Sequence, residues 1–406
     1  MGYIGINLGN VKVSNRSAIL KLLNDRGAMS RKDIAAELGL TPATVTLICS
    51  DLLSQGILCE KGELEEAKRA GRRKVLIDIN YQYRYVLSVR IEVVETSIAI
   101  SNLKGKECYI TKLRTDGTMD PEMFLKKIAN ESKSLMWEHG IGKEMVLGVG
   151  VSVPGTVNRN LGISQHAYRI WKEPVSVGDI LKGFLNLPVI VENNVKAFAE
   201  AELIYGNGRE QENLLLVKWS PGVGSAIIIG NRLYDSQNSK TAEIGHCTIE
   251  KNGKLCGCGK RGCLETRATT HAIAEAVRSV CTERTMPVLY QMVGGDIGKI
   301  NVENIMQWIE CGDEGMWAVL DDIFEVMARV VMNTVTIIAP GKVILYGQMI
   351  ESQTVMNRFI KKCKEYDPSI SDDYLVKSRL SKKIEYIGPL SVAVNELLYH
   401  TGSSEE

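Results

Sequence analysis

The chain has 406 residues, 45% hydrophobic and 24% charged, the make-up of a globular protein with room for two or three folding units. Its 49 basic and 48 acidic side chains leave a formal charge of +1. That excludes a protein that coats nucleic acid or an acidic membrane over its whole surface, so any DNA contact must reside in a small local module. No run of about 18 apolar residues is present, and the first seven residues lack the basic start and apolar stretch of a secretory signal. The sequence therefore reads as cytoplasmic, with no membrane partner, and its ten cysteines read as thiols or metal ligands rather than disulfides. Cys49, Cys59, Cys108, Cys247, Cys281 and Cys311 lie beside apolar residues and read as buried, inert thiols, whereas Cys363, between lysines, has no evident role.

Residues 14–25 place Ile19, Leu22 and Leu23 on one helical face, with Gly27 as a stop. Ser30 can cap a second helix with apolar positions Ile34, Ala35 and Leu38, which Gly39 ends. Thr41-Pro42 opens a third, threonine at the cap and proline in the first turn, with Val45, Ile48, Leu52 and Leu53 as its buried stripe. Three short helices joined in this way describe a helix-turn-helix. The exposed start of the third helix carries Thr41, Ala43, Thr44 and Thr46, small groups able to reach base edges, thymine methyls or phosphates. Strand-like segments 56–60 and 74–79 then form a β-hairpin wing around a basic turn, Lys68 to Lys74. Taken alone that turn is a solvated charge run. Behind a helix-turn-helix, Arg72 and Arg73 can enter a narrow minor groove, where negative potential is enhanced.

From residue 81 strands alternate with helices. Segments 85–91 and 96–100 predict a hairpin, 145–153 a buried strand leading to Pro154-Gly155, and 188–194 a strand running into a helix over 195–205. Segments 214–219, 225–229 and 342–346 are further strands. The pattern is mixed α/β, with ligands expected at the carboxyl ends of strands.

His246 and the cluster Cys256-Gly257-Cys258-Gly259-Lys260-Arg261-Gly262-Cys263 supply one imidazole and three thiols, the donor set of a closed structural zinc site. The interleaved glycines allow a tight backbone. Cys-x-Cys spacing differs from the Cys-x2-Cys knuckle of DNA-binding fingers, so the site is not a finger.

Glu243-Ile244-Gly245-His246 followed by Cys256-Gly257-Cys258-Gly259-x-x-Gly262-Cys263-Leu264-Glu265 resembles the signature of the ROK family (repressors, open reading frames, sugar kinases), and the resemblance extends over nearly the whole chain. It implies an α/β fold in which a winged helix-turn-helix (residues 1–80) precedes a two-lobed actin/hexokinase-like domain. The lobes would be 81–195, completed by 385–406, and 196–384, with a sugar in the cleft between them. By motif, Gly155, Asn193, Asn194, Glu243, His246 and Glu265 would bind sugar, through carboxylates and amides that suit hydroxyls. Zinc on one nitrogen of His246 would leave the other protonated to donate to a sugar oxygen.

The phosphate-binding parts of the family's kinases are altered here. Their Asp-x-Gly-Gly-Thr-Lys segment matches Arg90-Ile91-Glu92-Val93-Val94-Glu95, where bulk and two negative charges replace free backbone N–H groups. Their second glycine loop matches Ser220-Pro221-Gly222-Val223-Gly224-Ser225-Ala226, and a third cluster is reduced to Tyr346-Gly347-Gln348. Asn194 stands where a kinase has its aspartate base, and an amide cannot take that proton. The resemblance thus implies a sugar-responsive repressor rather than an enzyme, with structural zinc and no ATP. It would act as a dimer or tetramer on palindromic operator DNA. The alternative is an ATP-dependent sugar kinase carrying a DNA-binding domain.

Overall fold

The computed structural model describes residues 8–64, 74–106, 108–167, 169–209, 211–234, 241–301 and 304–400. The N-terminal module opens with α1 (Leu8–Arg26), which begins earlier than the apolar spacing predicts. The short strand β1 (Met29–Ser30) leads into α2 (Arg31–Leu38). Ser30 caps α2 by accepting from the Asp33 N–H, and Gly39 closes it in the left-handed conformation at φ 63°. In α3 (Pro42–Ser54) Thr41 accepts from the Thr44 N–H, Pro42 sits in the first turn, and Val45, Ile48, Cys49 and Leu52 are buried. Strands β2 (Leu58–Leu64) and β3 (Lys74–Ile79) pair antiparallel, with β1 on the other edge of β3. This three-stranded wing completes a winged helix-turn-helix. Arg72 and Arg73 lie outside the described residues.

Two compact units follow from the contacts: residues 1–205 with 382–406, and residues 206–381. The helix α6 described below thus falls in the first unit, whereas the sequence places a boundary at 195.

In the first unit, β4 (Tyr85–Ile91), β5 (Glu95–Asn102) and β6 (Tyr109–Arg114) form an antiparallel meander. Helix α4 (Pro121–Glu138) then leads to β7 (Val146–Val153), parallel to β4. A small hairpin, β8 (Thr156–Asn158) and β9 (Ile163–His166), and helix α5 (Val177–Leu185) precede β10 (Val189–Asn193), parallel to β7. The sheet order is β10-β7-β4-β5-β6. All eight residues of β7 are buried, which is why it reads as a continuous apolar run and not as an alternating one. Helix α6 (Asn194–Tyr205) starts directly where β10 ends. It packs on the C-terminal helix Ile387–Val394, which brings the chain's end back into this unit.

The second unit repeats the plan. Strands β11 (Leu214–Trp219), β12 (Val223–Ile229) and β13 (Arg232–Leu233) are antiparallel, and β14 (Lys342–Tyr346) and β15 (Leu375–Lys377) add in parallel. Read from β15, the order β15-β14-β11-β12-β13 matches that of the first sheet position for position. Helices α7 (Glu265–Ala268), α8 (Thr270–Val280), α9 (Pro287–Met292), α10 (Ile305–Trp308) and α11 (Glu314–Ile338) lie between β13 and β14. Helices α12 (Gln348–Glu351) and α13 (Gln353–Tyr366) precede β15. Trp219 anchors this core: its rings meet Phe324 and Phe359 edge-on at 5.6 and 5.1 Å, and its indole N–H donates to the Ala268 carbonyl at 2.9 Å.

Cysteine burial departs from expectation at several positions. Cys247 is exposed, Cys59, Cys108 and Cys311 are half-buried, and only Cys49 and Cys281 of the six are buried. Cys363, flanked by lysines, is wholly buried in the second core, because α13 turns its apolar stripe inward and leaves the lysines outside.

Leu52 is fully buried in α3. Leu52→Ala is expected to cost the N-terminal module about 2–5 kcal/mol, checked as a lowered urea midpoint for loss of α3 amide protection.

Candidate metal centre, effector residues and DNA interface

The second unit gathers the four proposed metal ligands. The ligand atoms of His246, Cys256, Cys258 and Cys263 all lie within 4.8 Å of one another. Cys256 Sγ is 3.7 Å from His246 Nδ1, and Cys258 Sγ is 3.6 Å from Cys263 Sγ. Bonds of about 2.3 Å to sulfur and 2.0–2.1 Å to nitrogen place tetrahedral ligands about 3.5–3.8 Å apart, so the donors fit a single ion. Desolvation and the two neighbouring sulfurs push the Cys263 thiol up to about 12; three thiolates do not share such a space unless a cation is added. The four residues form a group able to hold a metal ion.

Local backbone chemistry builds this cluster. The Cys256 N–H donates to the Lys260 carbonyl at 2.7 Å and the Gly259 N–H to the Cys256 carbonyl at 2.9 Å, closing the loop around Cys258. Gly262 has φ 67°, and a Cβ there would lie 1.6 Å from the Glu250 carbonyl oxygen, so no other residue fits. Gly257, also expected to loosen the backbone, has open space and no left-handed φ; it is not constrained in the same way.

The turn Ile244–His246 hangs on β12. The Ser225 hydroxyl donates to the Ala242 carbonyl and accepts from the Ile244 N–H, the latter at 3.3 Å. Glu265 Oε1 accepts from the Val223 N–H at 3.1 Å, while Oε2 stands 4.0 Å from His246 Nδ1. His246 and Glu265 are thus brought together beside the sulfurs, with His246 Nδ1 on the metal side. Glu243 is exposed at the start of the same turn.

The first unit holds the other three proposed sugar residues. Gly155 has φ 90°, and a Cβ would lie 2.0 Å from the His166 carbonyl oxygen. Its own carbonyl accepts from Asn193 Nδ2 at 2.7 Å. Asn193 Oδ1 accepts from the N–H groups of Val195 and Lys196 at 2.8 and 3.1 Å. The Asn193 side chain is therefore engaged in capping α6 and fastening the Gly155 turn, a positioning role the motif alone does not reveal. Asn194 Nδ2 donates to Glu92 Oε1 at 2.8 Å, and Arg90 meets the same oxygen at 2.9 Å.

That contact revises one expectation. Glu92 is paired with Arg90, and Glu95 with Lys112 at 3.0 Å, so the turn 92–95 does not present two free negative charges. What remains is bulk: Glu92 and Val93 stand at the two glycine positions of the kinase segment, and Val94 beside them is 76% exposed. In the second loop, Ser220 donates its N–H to the Gly222 carbonyl at 2.8 Å and Val223 donates to Glu265. Pro221 has no N–H, so little of this loop's backbone is free to meet phosphate.

A further cluster carries no sequence motif. Arg159 lies between Glu192, Glu200 and Glu396, at 3.1 Å from Glu192 and Glu396 and closer still to Glu200. Glu192 is 1% exposed, and its second oxygen accepts from the Asn193 N–H at 2.7 Å. Burial works against the Arg159 charge, but Glu200 and Glu192 outweigh it and hold the guanidinium pKa above its ordinary value. Burial lifts Glu192 from 4.5 to about 7, partly offset by Arg159. His400, 3.7 Å away, together with Arg159 brings Glu396 down to about 2.

On α3, Thr41, Ala43 and Thr46 are exposed and Thr44 is half-buried. The hydroxyls of Thr41 and Thr44 meet at 2.8 Å, and the Thr46 hydroxyl donates to the Pro42 carbonyl at 2.7 Å. Leu47, 70% exposed on the same helix, was not anticipated; it extends this uncharged face.

With this geometry in place, comparison with known proteins is decisive. The model of the ROK family matches residues 86–390, three quarters of the chain. The chain belongs to the ROK family. A winged helix-turn-helix DNA-binding model matches residues 14–58, so this ROK protein carries the N-terminal module that the sequence predicts. Among curated ROK relatives, the xylose repressor of Bacillus spizizenii is 24% identical over 396 residues, 96% of this chain and 97% of that one. The DNA-binding transcriptional dual regulator NagC of Escherichia coli is 25% identical over 361 residues, 88% of this chain and 86% of that one. Among solved structures, a ROK family transcriptional regulator described as a homologue of the E. coli MLC protein superposes with a TM-score of 0.79 at 24% identity, covering 96% and 97% of the two chains. The ROK hexokinase of Thermus thermophilus gives 0.61 at 19% identity, covering 77% of this chain and 99% of that one. The actin/hexokinase-like fold is thus established. No helix among the described residues is long and apolar enough to cross a membrane.

Glu192 gives a pH signature. Its folded pKa of about 7 stands above the ordinary 4.5, so the folded chain keeps a proton that the unfolded chain has released between those values. That contribution to stability is fully present below 4.5 and is lost as pH rises through about 7. Melting curves recorded across this window should fall less steeply with pH in Glu192→Gln than in the parent chain.

Proposed function

We propose that this ROK protein is a sugar-responsive transcriptional repressor that binds operator DNA and does not transfer phosphate. What supports this reading is a winged helix-turn-helix joined to a ROK domain, together with Asn194, hydrogen-bonded to Glu92, at the position where the resemblance places a kinase's general base. An amide cannot accept the proton of an attacking hydroxyl. The name of the Bacillus spizizenii relative, a xylose repressor, and that of NagC, a DNA-binding transcriptional dual regulator, agree with it. The thermodynamic requirement is modest: a sugar need only bind two conformations unequally to change DNA affinity.

In the first unit the Asn194 amide and the Gly155 turn would offer hydrogen bonds to sugar hydroxyls; in the second, Glu243, His246 and Glu265 would do so. Asn193 would act chiefly by fixing Gly155 and the start of α6. Zinc is the metal that suits one imidazole and three thiols, being thiophilic and redox-inert. Its part would be structural: with the ion on Nδ1, the Nε2 proton of His246 is left to donate to a hydroxyl. Thr41, Ala43, Thr44 and Thr46 would enter the major groove, and Arg72 and Arg73 the minor groove beside it. A homodimer or homotetramer would read a palindrome through two such modules.

Gel-shift titration of the DNA upstream of the gene, with and without a panel of monosaccharides, tests the reading. Sequence-specific binding weakened by one sugar is the expected result, and no specific binding at moderate salt would refute it. A coupled ATP assay on the same panel separates the kinase alternative; turnover that disappears in Glu243→Ala would establish it. His246→Ala and Cys258→Ser should each lower bound zinc, measured by elemental analysis, and weaken the sugar response while α2 and α3 stay folded.

A further inference from the structure

The Arg159 cluster does more than satisfy buried charge, because its members come from segments that otherwise have separate tasks. Arg159 belongs to the turn between β8 and β9, a short step from Gly155. Glu192 is the penultimate residue of β10, and its carboxylate accepts from the N–H of Asn193, just before Asn194. Glu200 is on α6 and is also met by Asn395 Nδ2 at 3.1 Å. Glu396 lies in the last turn of the chain, where Oε2 is 3.1 Å from Arg159 Nη2 and 3.7 Å from His400 Nδ1. The other ring nitrogen of His400, Nε2, is 3.2 Å from Lys21 Nζ, on α1 of the DNA-binding module. Beside this polar chain, Asn24 of α1 donates to the Ile204 carbonyl at the end of α6 at 3.0 Å. All these groups lie within the first unit.

We infer that Arg159 is a coupling residue: it ties the strand end bearing Asn193 and Asn194 to the C-terminal turn, and through Glu396 and His400 to α1, so that a change at the effector residues is felt by the DNA-binding module. This rests on the proposed sugar reading for what disturbs the strand end, but the linkage itself is a property of the chain. The geometry favours transmission over simple anchoring. One guanidinium serves three carboxylates, so displacing Glu192 redistributes its bonds among Glu200 and Glu396. The outer end is formed by His400 and Lys21, both partly exposed.

A double-mutant cycle on the full chain measures the linkage, since groups that act independently give additive effects. The parent, Glu192→Gln, His400→Ala and the double variant are compared for operator affinity at one salt concentration. Glu192→Gln is expected to change the operator Kd by about fivefold or more. In the His400→Ala background the same substitution should change it less than about twofold. An equal effect in both backgrounds, or none in either, overturns the coupling. If Glu192→Gln does not fold, judged by circular dichroism, Glu396→Gln takes its place under the same criteria. Thermal shifts with D-xylose and N-acetylglucosamine are read separately. An additive cycle with a sugar shift refutes the coupling alone, and a non-additive cycle without any shift counts against the sugar reading alone.

Discussion

Three thiols and an imidazole held within 4.8 Å of one another form the constraint on which the functional half of the second unit depends. Residues 241–263 contain little regular structure, and their shape follows from a few backbone hydrogen bonds and from Gly262, where the chain passes Glu250 too closely for any side chain. Without an ion, the sulfurs would repel or stay protonated, as the raised Cys263 thiol indicates. With one, the turn that carries Glu243 and His246 and the helix start that carries Glu265 are joined at a fixed spacing. On the proposed reading, a structural ion here would favour sugar binding by removing the freedom of the binding groups beforehand.

The first unit achieves comparable order with hydrogen bonds and charge alone. Asn193 caps α6 and holds the Gly155 turn, Asn194 is fixed by Glu92, and Glu192 is fixed by Arg159. Glu92 and Val93 stand where the resemblance places the glycines of a kinase, and Glu92 and Glu95 are each paired with a basic side chain. The two units share a sheet order, so the second half of the chain elaborates the same plan with long helices and a metal clip. A fold that serves kinases in its relatives is compatible with a binding function here, since chemistry belongs to the site and not to the scaffold.

Much of this was legible in the sequence because the signals are local. Caps at Ser30 and Thr41, the stop at Gly39 and the uninterrupted apolar strand 146–153 each specify structure within a few residues. The metal donors were legible because Cys256, Cys258 and Cys263 cluster and only one distant partner, His246, is needed. The Arg159 cluster was not, because Arg159, Glu192, Glu200 and Glu396 are widely separated and each looks like an ordinary surface charge in the sequence. The capping role of Asn193 was hidden for a different reason: its motif identifies the residue but not which partners its amide meets. Charge at Glu92 and Glu95 was misjudged because Arg90 turns back on Glu92 from two residues away and Lys112 meets Glu95 across strands. Cys363 shows the same limit, its burial set by the face of α13 and not by its lysine neighbours.

The central claim is that a metal-shaped group of residues gives this repressor its sugar response. Stripping the metal with a chelator, then recording the sugar-induced rise in melting temperature before and after zinc is restored, tests it directly. The account predicts a rise that disappears in the metal-free chain and returns with zinc. A metal-free, folded chain that shows the same rise would contradict it.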